Sequence, residues 1–421
     1  MNSSVNPLSR VGPEGHLLLL LILFYGFTAM NIPQGGGDLE SWSQWAINIK
    51  EHGIRNIYSL HTHPAPGTPP SFLYGPFYMY LLYFWGKWQG SVQQLQHNPY
   101  QFKLFMLVFD MVGIWFALRY WRDKISRPFY ALFLVFNISL LYDTINWGQA
   151  DGALACLVLV AVYYGLRGNI ALSGISFIMG LLIKPQPIIF LPVLGLLWLT
   201  AVLKKPLKST LVDLLSIALA VGILLWPFLQ AGTFGAYWSM LRDSTSVYPA
   251  LTVNAANLWT LLFTQNTNEV SDQLVWSRLN YNQWGLLLFS SGYFVILFPL
   301  LRQFYEIMRG RRTNYDNSCV LLVAGLVPIV FYFFNTQMHE RYAHPSVLLL
   351  AAYALSKGDF VPYAVASIAN LWVMDRVLKN FGLYNSISLE LIAALFLSVL
   401  VWGVVQLYRK SALVKPEMAV V

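Results

Sequence analysis

The chain has 421 residues, of which 57% are hydrophobic and 11% are charged, and its formal net charge is +8. A soluble globular protein carries about 25% charged residues, so this composition excludes a protein whose whole surface faces water. Apolar runs of membrane-spanning length recur from Leu17 to Leu407, which predicts an all-α polytopic membrane protein. The positive charge does not indicate a nucleic-acid partner, because lysine and arginine in membrane proteins mainly mark cytoplasmic loops.

The first apolar run, 16–32, has the length of a signal peptide. No small-residue cleavage pattern follows it and many further apolar runs do, so the sequence predicts a retained first helix. The two cysteines, Cys156 and Cys319, fall in apolar surroundings and are expected to be free.

The orientation of the chain depends on the segment Ser71–Trp88. If this segment crosses the membrane, the basic loop 121–128 falls outside. If it lies in the interface, that loop is cytoplasmic, as the positive-inside rule requires. A Tyr-Gly-Pro start and the aromatic side chains that follow Pro76 are typical of an interfacial helix, and we expect this arrangement.

The interfacial arrangement predicts a bundle of about twelve transmembrane helices, with both ends and the basic clusters in the cytoplasm. The predicted spans are 16–32, 102–120, 129–145, 150–166, 169–183, 187–203, 209–228, 283–301, 317–334, 343–356, 360–374 and 389–408. The loops on the outer side are then 33–101, 147–151, 184–187, 229–282, 338–345 and 375–388. Nearly every unusual polar cluster falls on these outer loops, which predicts one site at the outer membrane face.

The first outer loop begins with three glycines, followed by Asp38 and Glu40. Glycines allow the backbone to bend sharply and to approach a ligand. The spacing of Trp42, Trp45 and Ile49 predicts a helix that Asp38 would precede as its N-cap. Capping explains neither the glycines nor the second acid, so we interpret both acids as functional.

The outer segment WGQAD contributes Trp147, Gln149 and Asp151. Asp151 is interpreted equally well as a functional group or as a water-facing helix N-cap. Trp147 suits stacking on a sugar, although tryptophans at membrane boundaries are more often interface anchors.

Lys184 lies at the apex of an apolar hairpin, where Pro185 and Pro187 break the helix. It either extends to lipid headgroups or binds an anion. The positive-inside rule does not explain a lysine on the outer side, so an anion site is favoured.

The loop MHERYAHP gathers His339, Glu340, Arg341 and His344. The two histidines are five residues apart and no HExxH is present, so the pattern gives little support to a metal site. The guanidinium of Arg341 is a planar fork of donors that suits phosphate. The alternative is a structural salt bridge between Arg341 and Glu340 or another acid.

The segment NAANLW carries Asn254, Asn257 and Trp259. Amides beside a tryptophan suit sugar hydroxyls, which need donors and acceptors together. Helix capping by asparagine accounts for the same residues equally well.

The order of these motifs resembles that of the GT-C glycosyltransferases, which use polyprenyl-phosphate sugars. The loop GGGDLESW, the segment YGPFYMYLLYFWG with Tyr74, and the region from FKLFMLVFD to WGQADGALA are similar to dolichyl-phosphate-glucose glucosyltransferases. QMHERYAHP resembles a loop that these share with bacterial relatives of the GPI-anchor mannosyltransferases. The chain departs from the glucosyltransferase pattern at Arg341, where those enzymes show lysine, and at Phe102, where they show histidine. These departures leave the sugar and the acceptor open.

The resemblance implies a GT-C-like bundle in which residues 1–228 form the family's transmembrane module with its catalytic first loop, 33–101. Residues 229–421 then form a variable module with outer loops 229–282 and 335–345.

The resemblance also implies an inverting transfer of one sugar, mannose or glucose, from a polyprenyl-phosphate donor to the hydroxyl of a lipid- or glycan-linked acceptor. Asp38 is the expected base, with Glu40 in reserve. The expected substrate-binding residues are Lys184, Arg341 and His339 for the lipid phosphate, then Trp147, Gln149, Asp151, Asn254, Asn257 and Trp259 for sugar hydroxyls, with Tyr74, Glu340 and His344 beside them.

Two other functions remain open: a lipid-linked sugar flippase or secondary transporter, and a glycan ligase with a polyprenyl-pyrophosphate donor. Ion-coupled transporters use paired charges inside the membrane, whereas Asp110 and Asp213, the plainest acids inside spans, are isolated in the sequence.

No cofactor is predicted, although Asp38, Glu40 and His339 are potential ligands for a divalent metal. The compact chain, with no Asn-x-Ser/Thr in its outer loops, favours a bacterial cytoplasmic membrane with a periplasmic site over the endoplasmic reticulum.

Overall fold

The computed structural model describes residues 23–31, 36–60, 74–121, 127–243, 248–382 and 386–413. Within these ranges the chain is almost entirely helical, and each of its four strands is two residues long. Several predicted features lie outside the described residues. These are 16–22 and Ile32 of the first span, 33–35 and 61–73 of the first outer loop, 122–126 of the basic loop, 244–247 of the loop 229–282, and 383–385 of the loop 375–388.

The amino-terminal part of the chain is helical from 23 to 31 and continues in ten numbered helices. These are α1 (Gly36–His52), α2 (Pro76–Gln89), α3 (Val92–His97), α4 (Lys103–Leu118), α5 (Arg127–Val135), α6 (Ile138–Leu141), α7 (Asp151–Leu166), α8 (Ile170–Leu181), α9 (Leu191–Lys204) and α10 (Leu207–Gln230). Short 3-10 helices occupy Ile54–Leu60, Pro99–Phe102 and Gln186–Phe190, and a π-helical turn occupies Tyr142–Trp147.

The carboxy-terminal part contributes α11 (Phe234–Asp243), α12 (Leu258–Leu262), α13 (Tyr281–Met308), α14 (Asn317–Phe334), α15 (Pro345–Lys357), α16 (Val361–Leu378) and α17 (Leu389–Leu413). Strand β1 (Thr252–Val253) pairs in parallel with β4 (Met338–His339), and this pairing joins the 248–282 loop to the loop before α15. Strands β2 (Val275–Trp276) and β3 (Leu279–Asn280) form a small antiparallel hairpin.

Six helices in the described part of the chain are long and apolar enough to cross a membrane, or seven if one bent pair counts as a span. Three shorter apolar helices, Asp151–Leu166, Ile170–Leu181 and Pro345–Lys357, accompany them. The chain therefore has the helices of a multi-pass membrane protein, although length and composition alone give fewer spans than the twelve predicted. Both cysteines are free and buried, as expected.

The predicted span 129–145 is not a continuous helix. Its two halves, Phe129–Val135 and Ile138–Trp147, meet at an angle of 48°. The side chain of Asn137 accepts a hydrogen bond from the Leu140 amide at 3.0 Å and thereby caps the second half. A capping asparagine starts a new helix, and the new direction leads the chain into the segment 147–151.

The centre of the bundle is formed by α7, α14 and α15, whose side chains are almost all buried. Helix α10 lies at the periphery, and its Leu215 and Ile223 side chains are 69% and 64% exposed. Because the bilayer is itself apolar, such side chains contact lipid rather than water.

The chain leaves one end of the bundle and returns to it between Asp38 and Lys103. The Asp38 carboxylate contacts Trp147, and the Lys103 ammonium donates to the carbonyl of Ile145 at 2.7 Å. Helix α2, which lies between these two points, is not among the six span candidates in the described ranges.

Gly75 makes a close backbone approach that positions the chain next to Lys184. Its amide donates to the carbonyl of Ile183 at 2.8 Å, and a Cβ atom at Gly75 would lie 2.5 Å from the carbonyl oxygen of Leu182. The φ angle of Gly75 is −82°, so the restriction is steric rather than conformational.

We expect Gly75→Ala to lower the free energy of unfolding by about 1–3 kcal/mol, because the clash forces two backbone segments apart. Denaturant unfolding in detergent, followed by tryptophan fluorescence, measures the change. Gly195→Ala in α9 is the control, since nothing lies within 4 Å of a Cβ atom there. Equal stability of the two variants would contradict the prediction.

Candidate functional site

Polar side chains from four separated segments of the sequence meet at one end of the bundle. They come from the start of α1, the segment 147–151, Lys184 after α8, and the loop 339–341. All four segments were predicted on the same outer side, and the structure brings them into direct contact.

Asp38 lies in the first turn of α1. The predicted N-cap position is wrong, because the helix begins two residues earlier at Gly36, and an acid in the first turn is favoured by the positive end of the helix dipole. The Oδ2 atom of Asp38 accepts hydrogen bonds from the Trp147 indole at 3.2 Å and from the Gln149 side-chain amide. Glu40, two residues on, is exposed.

Gln149 is fully buried and connects Asp38 to Tyr74. The Tyr74 hydroxyl donates to Gln149 Oε1 at 3.2 Å, so the amide nitrogen is the end that faces Asp38. Burial raises the pKa of Tyr74 to about 12, although Lys184 and Arg341 oppose the shift. Tyr74 is therefore a neutral donor at physiological pH, and it fixes the orientation of Gln149.

Asp151 joins the two cations of the site. Its Oδ2 atom lies 3.1 Å from Lys184 Nζ and 3.6 Å from Arg341 Nε. Asp151 is 2% exposed and α7 is preceded by Ala150 at the N-cap position, so Asp151 is not a water-facing cap. Burial alone would lower the pKa of Lys184, but Asp151 holds it above its usual value and the amine stays charged.

Arg341 also pairs with its neighbour Glu340, whose Oε1 atom accepts from Arg341 Nη1. The sequence left open a structural salt bridge from Arg341 to Glu340 or to another acid. The structure contains both, because Arg341 contacts Glu340 and Asp151. Burial raises the pKa of Glu340 while Arg341 opposes the shift. Among the described residues, no acceptor satisfies hydrogen-bond geometry to the buried Arg341 Nε.

His339 is uncharged at neutral pH. Burial, followed by the nearby cations Arg341 and Lys184, holds the pKa of its imidazole well below the usual value. Its 4.0 Å contact with Glu340 is therefore not an ion pair.

Aromatic faces connect the cations to the groups that hold Asp38. The Arg341 guanidinium lies 5.1 Å from the centre of the Trp147 ring, and Lys184 Nζ lies 4.8 Å from the centre of the Tyr74 ring. Both distances are within the range of cation–π attraction. The acid and the two cations therefore share one set of supporting side chains.

Three of the remaining predicted residues have structural contacts away from Asp38. His344 is fully buried and its Nδ1 atom lies 3.1 Å from the Asn370 amide. Asn257 caps α12 and donates to the Tyr332 carbonyl at 3.2 Å, which is the capping role considered above. The indole of Trp259 donates to the Phe334 carbonyl at 3.1 Å.

Asn254 lies at the edge of the site. Its backbone forms a bridge with His339, its φ angle is 61°, and its side chain is exposed. Its Oδ1 atom accepts a hydrogen bond from the Asn268 side-chain amide at 2.9 Å, so Asn254 is paired with the 248–282 loop.

Sequence reasoning missed the buried acids behind Asp151. Asp143 is fully buried and accepts from the Gly152 amide at 3.3 Å. Asp110 was considered isolated, but a Cβ atom at Gly152 would overlap its carboxylate, so the two helices touch at this glycine. Asp213 is not isolated either, since it pairs with Lys205 at 2.7 Å. The available signal was Asp143 itself, an acid next to a predicted membrane boundary.

An apolar cavity of about 20 Å³ adjoins Asp151. Its walls include Pro187, Phe190, Phe331 and Pro345. This volume holds about one water molecule, so a larger group would enter only if the walls moved apart.

Across the described ranges there is no group of three or more His, Cys, Asp or Glu side chains arranged to hold a metal ion.

Asp272 braces the loop that carries the cationic half of the site. Its Oδ2 atom accepts from Thr336 and Gln337, each at 2.8 Å, and from Asn282 at 3.2 Å. Asp272 is fully buried. The carboxylate thereby ties the 248–282 loop to the residues just before His339.

A comparison with protein-family models and with curated proteins found no match to this chain.

We expect Asp272→Ala to destabilise the fold by about 2–4 kcal/mol, because the buried Thr336 hydroxyl and the half-buried amides of Gln337 and Asn282 lose their acceptor. Hydrogen exchange of the peptide spanning 335–341 should accelerate. Glu269→Gln, an exposed acid in the same loop, should leave exchange unchanged. Unaltered protection of 335–341 in Asp272→Ala would show that the brace is not needed.

Proposed function

We propose that this chain is an inverting GT-C-type glycosyltransferase that moves one sugar, mannose or glucose, from a polyprenyl-phosphate carrier to an acceptor hydroxyl. One observation carries the proposal. Asp38, the acid at the position that the resemblance assigns to catalysis, belongs to the same contact network as the buried cations Lys184 and Arg341. A base and a phosphate-binding pair side by side are what a single displacement at a phosphate-linked sugar requires.

Asp38 is the proposed base. Trp147 and Gln149 both donate to its Oδ2 atom, and we assign Oδ1 to the proton of the acceptor hydroxyl. These two neutral donors hold the carboxylate in place and leave it without a cation as a direct partner among the described contacts. Glu40 is exposed and does not share these contacts, which supports an accessory role.

Lys184 and Arg341 are the proposed ligands of the donor phosphate, with His339 as a neutral donor. The buried Arg341 Nε lies 3.6 Å from the same Asp151 oxygen that Lys184 contacts, and a phosphate oxygen suits both donors. Charge on the leaving phosphate grows as the bond to the sugar breaks, so fixed cations there favour the transition state.

The polyprenyl tail is assigned to the apolar walls beside Asp151. The cavity between the 3-10 helix Gln186–Phe190 and α14 has Asp151 in its wall, and most of its other lining residues are apolar. Because its volume is small, the donor must part these walls to bind.

We propose that the chain has twelve spans and an interfacial first loop, with the site at the outer or lumenal face. The basic loops, including Lys204, Lys205 and Lys208 and the cluster at 302–312, favour the opposite face for the cytoplasm. A bacterial cytoplasmic membrane with a periplasmic site is the favoured location.

A panel of synthetic donors tests this function. The purified protein, incubated with mannosyl, glucosyl and arabinosyl polyprenyl phosphates and membrane-lipid acceptors, should transfer the sugar from at least one of the first two. A flippase or transporter would move such lipids across vesicle membranes without transfer. A ligase would require a pyrophosphate-linked donor, so activity with that donor alone would refute the proposal.

We expect Asp38→Asn to reduce kcat by about 10²–10⁴-fold, because the acceptor loses its general base. Glu40→Gln is the matched control and should retain most activity. Melting temperatures of the two variants should remain close to that of the wild type. Full activity of Asp38→Asn with loss in Glu40→Gln would transfer the role of base to Glu40.

A further inference from the structure

The Asp151 carboxylate contacts both cations to which the proposed function assigns the donor phosphate. A single carboxylate oxygen lies 3.1 Å from Lys184 Nζ and 3.6 Å from Arg341 Nε. The side chains of Lys184 and Asp151 are 6% and 2% exposed, so water screens this contact poorly. A carboxylate and a phosphate oxygen compete for the same donors.

The charges of the cluster are already balanced. Lys184 and Arg341 supply two positive charges, and Asp151 and Glu340 supply two negative ones within contact distance. Asp38 adds a further carboxylate through the Trp147 contact. An arriving phosphate therefore meets no net positive charge, unlike the usual anion site.

We infer that Asp151 is an internal competitor of the donor phosphate, which weakens phosphate binding and thereby promotes release of the spent carrier. This inference rests on the proposed function. It gives Asp151 a role different from the sugar-hydroxyl contact expected from the sequence, because both cations engage its carboxylate.

The reaction chemistry explains why such a competitor is useful. The donor is a phosphodiester with one negative charge. When the bond between the anomeric carbon and the phosphate oxygen breaks, its electron pair stays with that oxygen. The acceptor oxygen forms the new bond to the anomeric carbon, and its proton passes to Asp38. The carrier leaves as a phosphomonoester with two negative charges, which the cations would hold more tightly if Asp151 did not share them.

Binding of farnesyl phosphate to detergent-purified protein tests the inference. Asp151→Asn keeps the shape of the side chain and removes its charge. We expect the Kd for farnesyl phosphate to fall at least about tenfold, the effect of removing one like charge at contact distance. Farnesol, which has the same chain and no charge, should bind both proteins equally. Asp213→Asn, which disrupts the Lys205 pair instead, should bind as the wild type does.

Thermal unfolding provides a second readout that does not require activity. Asp151→Asn leaves two buried cations with one carboxylate, so its melting temperature should fall. The same concentration of farnesyl phosphate should raise the melting temperature more in Asp151→Asn than in the wild type, since ligand stabilisation grows as Kd falls. In Asp213→Asn the ligand-induced rise should equal that of the wild type.

The outcomes separate this inference from the proposed function. Equal or weaker binding by Asp151→Asn, with clear binding by the wild type, overturns the competitor role and leaves the donor assignment intact. Absence of farnesyl phosphate binding in both proteins overturns both. If inorganic phosphate gains affinity by the same factor, the competitor role stands with free phosphate as the ligand.

A second variant covers the case in which Asp151→Asn does not fold. Glu340→Gln removes the other balancing carboxylate and leaves Asp151 in place. It should also bind farnesyl phosphate more tightly, because the argument depends on the net charge around Lys184 and Arg341. Unchanged affinity in Glu340→Gln would then count against the inference.

Discussion

The buried contact of Asp151 with Lys184 and Arg341 is the constraint on which the rest of the site depends. A charge removed from water is tolerated only when its partners are in place, and loss of one partner from a buried pair is strongly destabilising. The start of α7, the hairpin after α8 and the loop before α15 must therefore meet. Gly75 adds the amino-terminal segment to this junction through its hydrogen bond to Ile183.

The acid and the cations are held by different means but on common supports. Asp38 is held by neutral donors from Trp147 and Gln149, whereas the cations are held by carboxylates. The rings of Trp147 and Tyr74 lie against the cations and also contact the Asp38 network. A movement of Asp38 would consequently displace side chains that also contact the cation pair, and a movement of the cations would displace side chains that hold Asp38.

The helices could be predicted from the sequence because apolar runs of spanning length have few alternatives in a bilayer. The predicted span 317–334 coincides with α14. The break at Asn137 was not predicted, since a polar residue within an apolar run does not indicate whether it will cap a helix. For the site, four of the segments that the sequence grouped together do meet. Pairings such as Asp151 with Lys184 depend on how helices pack, and pattern alone does not reveal packing. Asp272 was missed because its donors come from distant parts of the chain.

The charge balance bears on which donor the site can accept. Lys184 and Arg341 already face the carboxylates of Asp151 and Glu340, so each added negative charge must be accommodated in a poorly hydrated space. A phosphodiester adds one negative charge, whereas a pyrophosphate-linked donor adds at least one more and would need a further cation. No third lysine or arginine joins these pairs among the contacts of the described residues. Within the proposed function, this charge balance fits a singly charged carrier better than the pyrophosphate-linked donor of a glycan ligase.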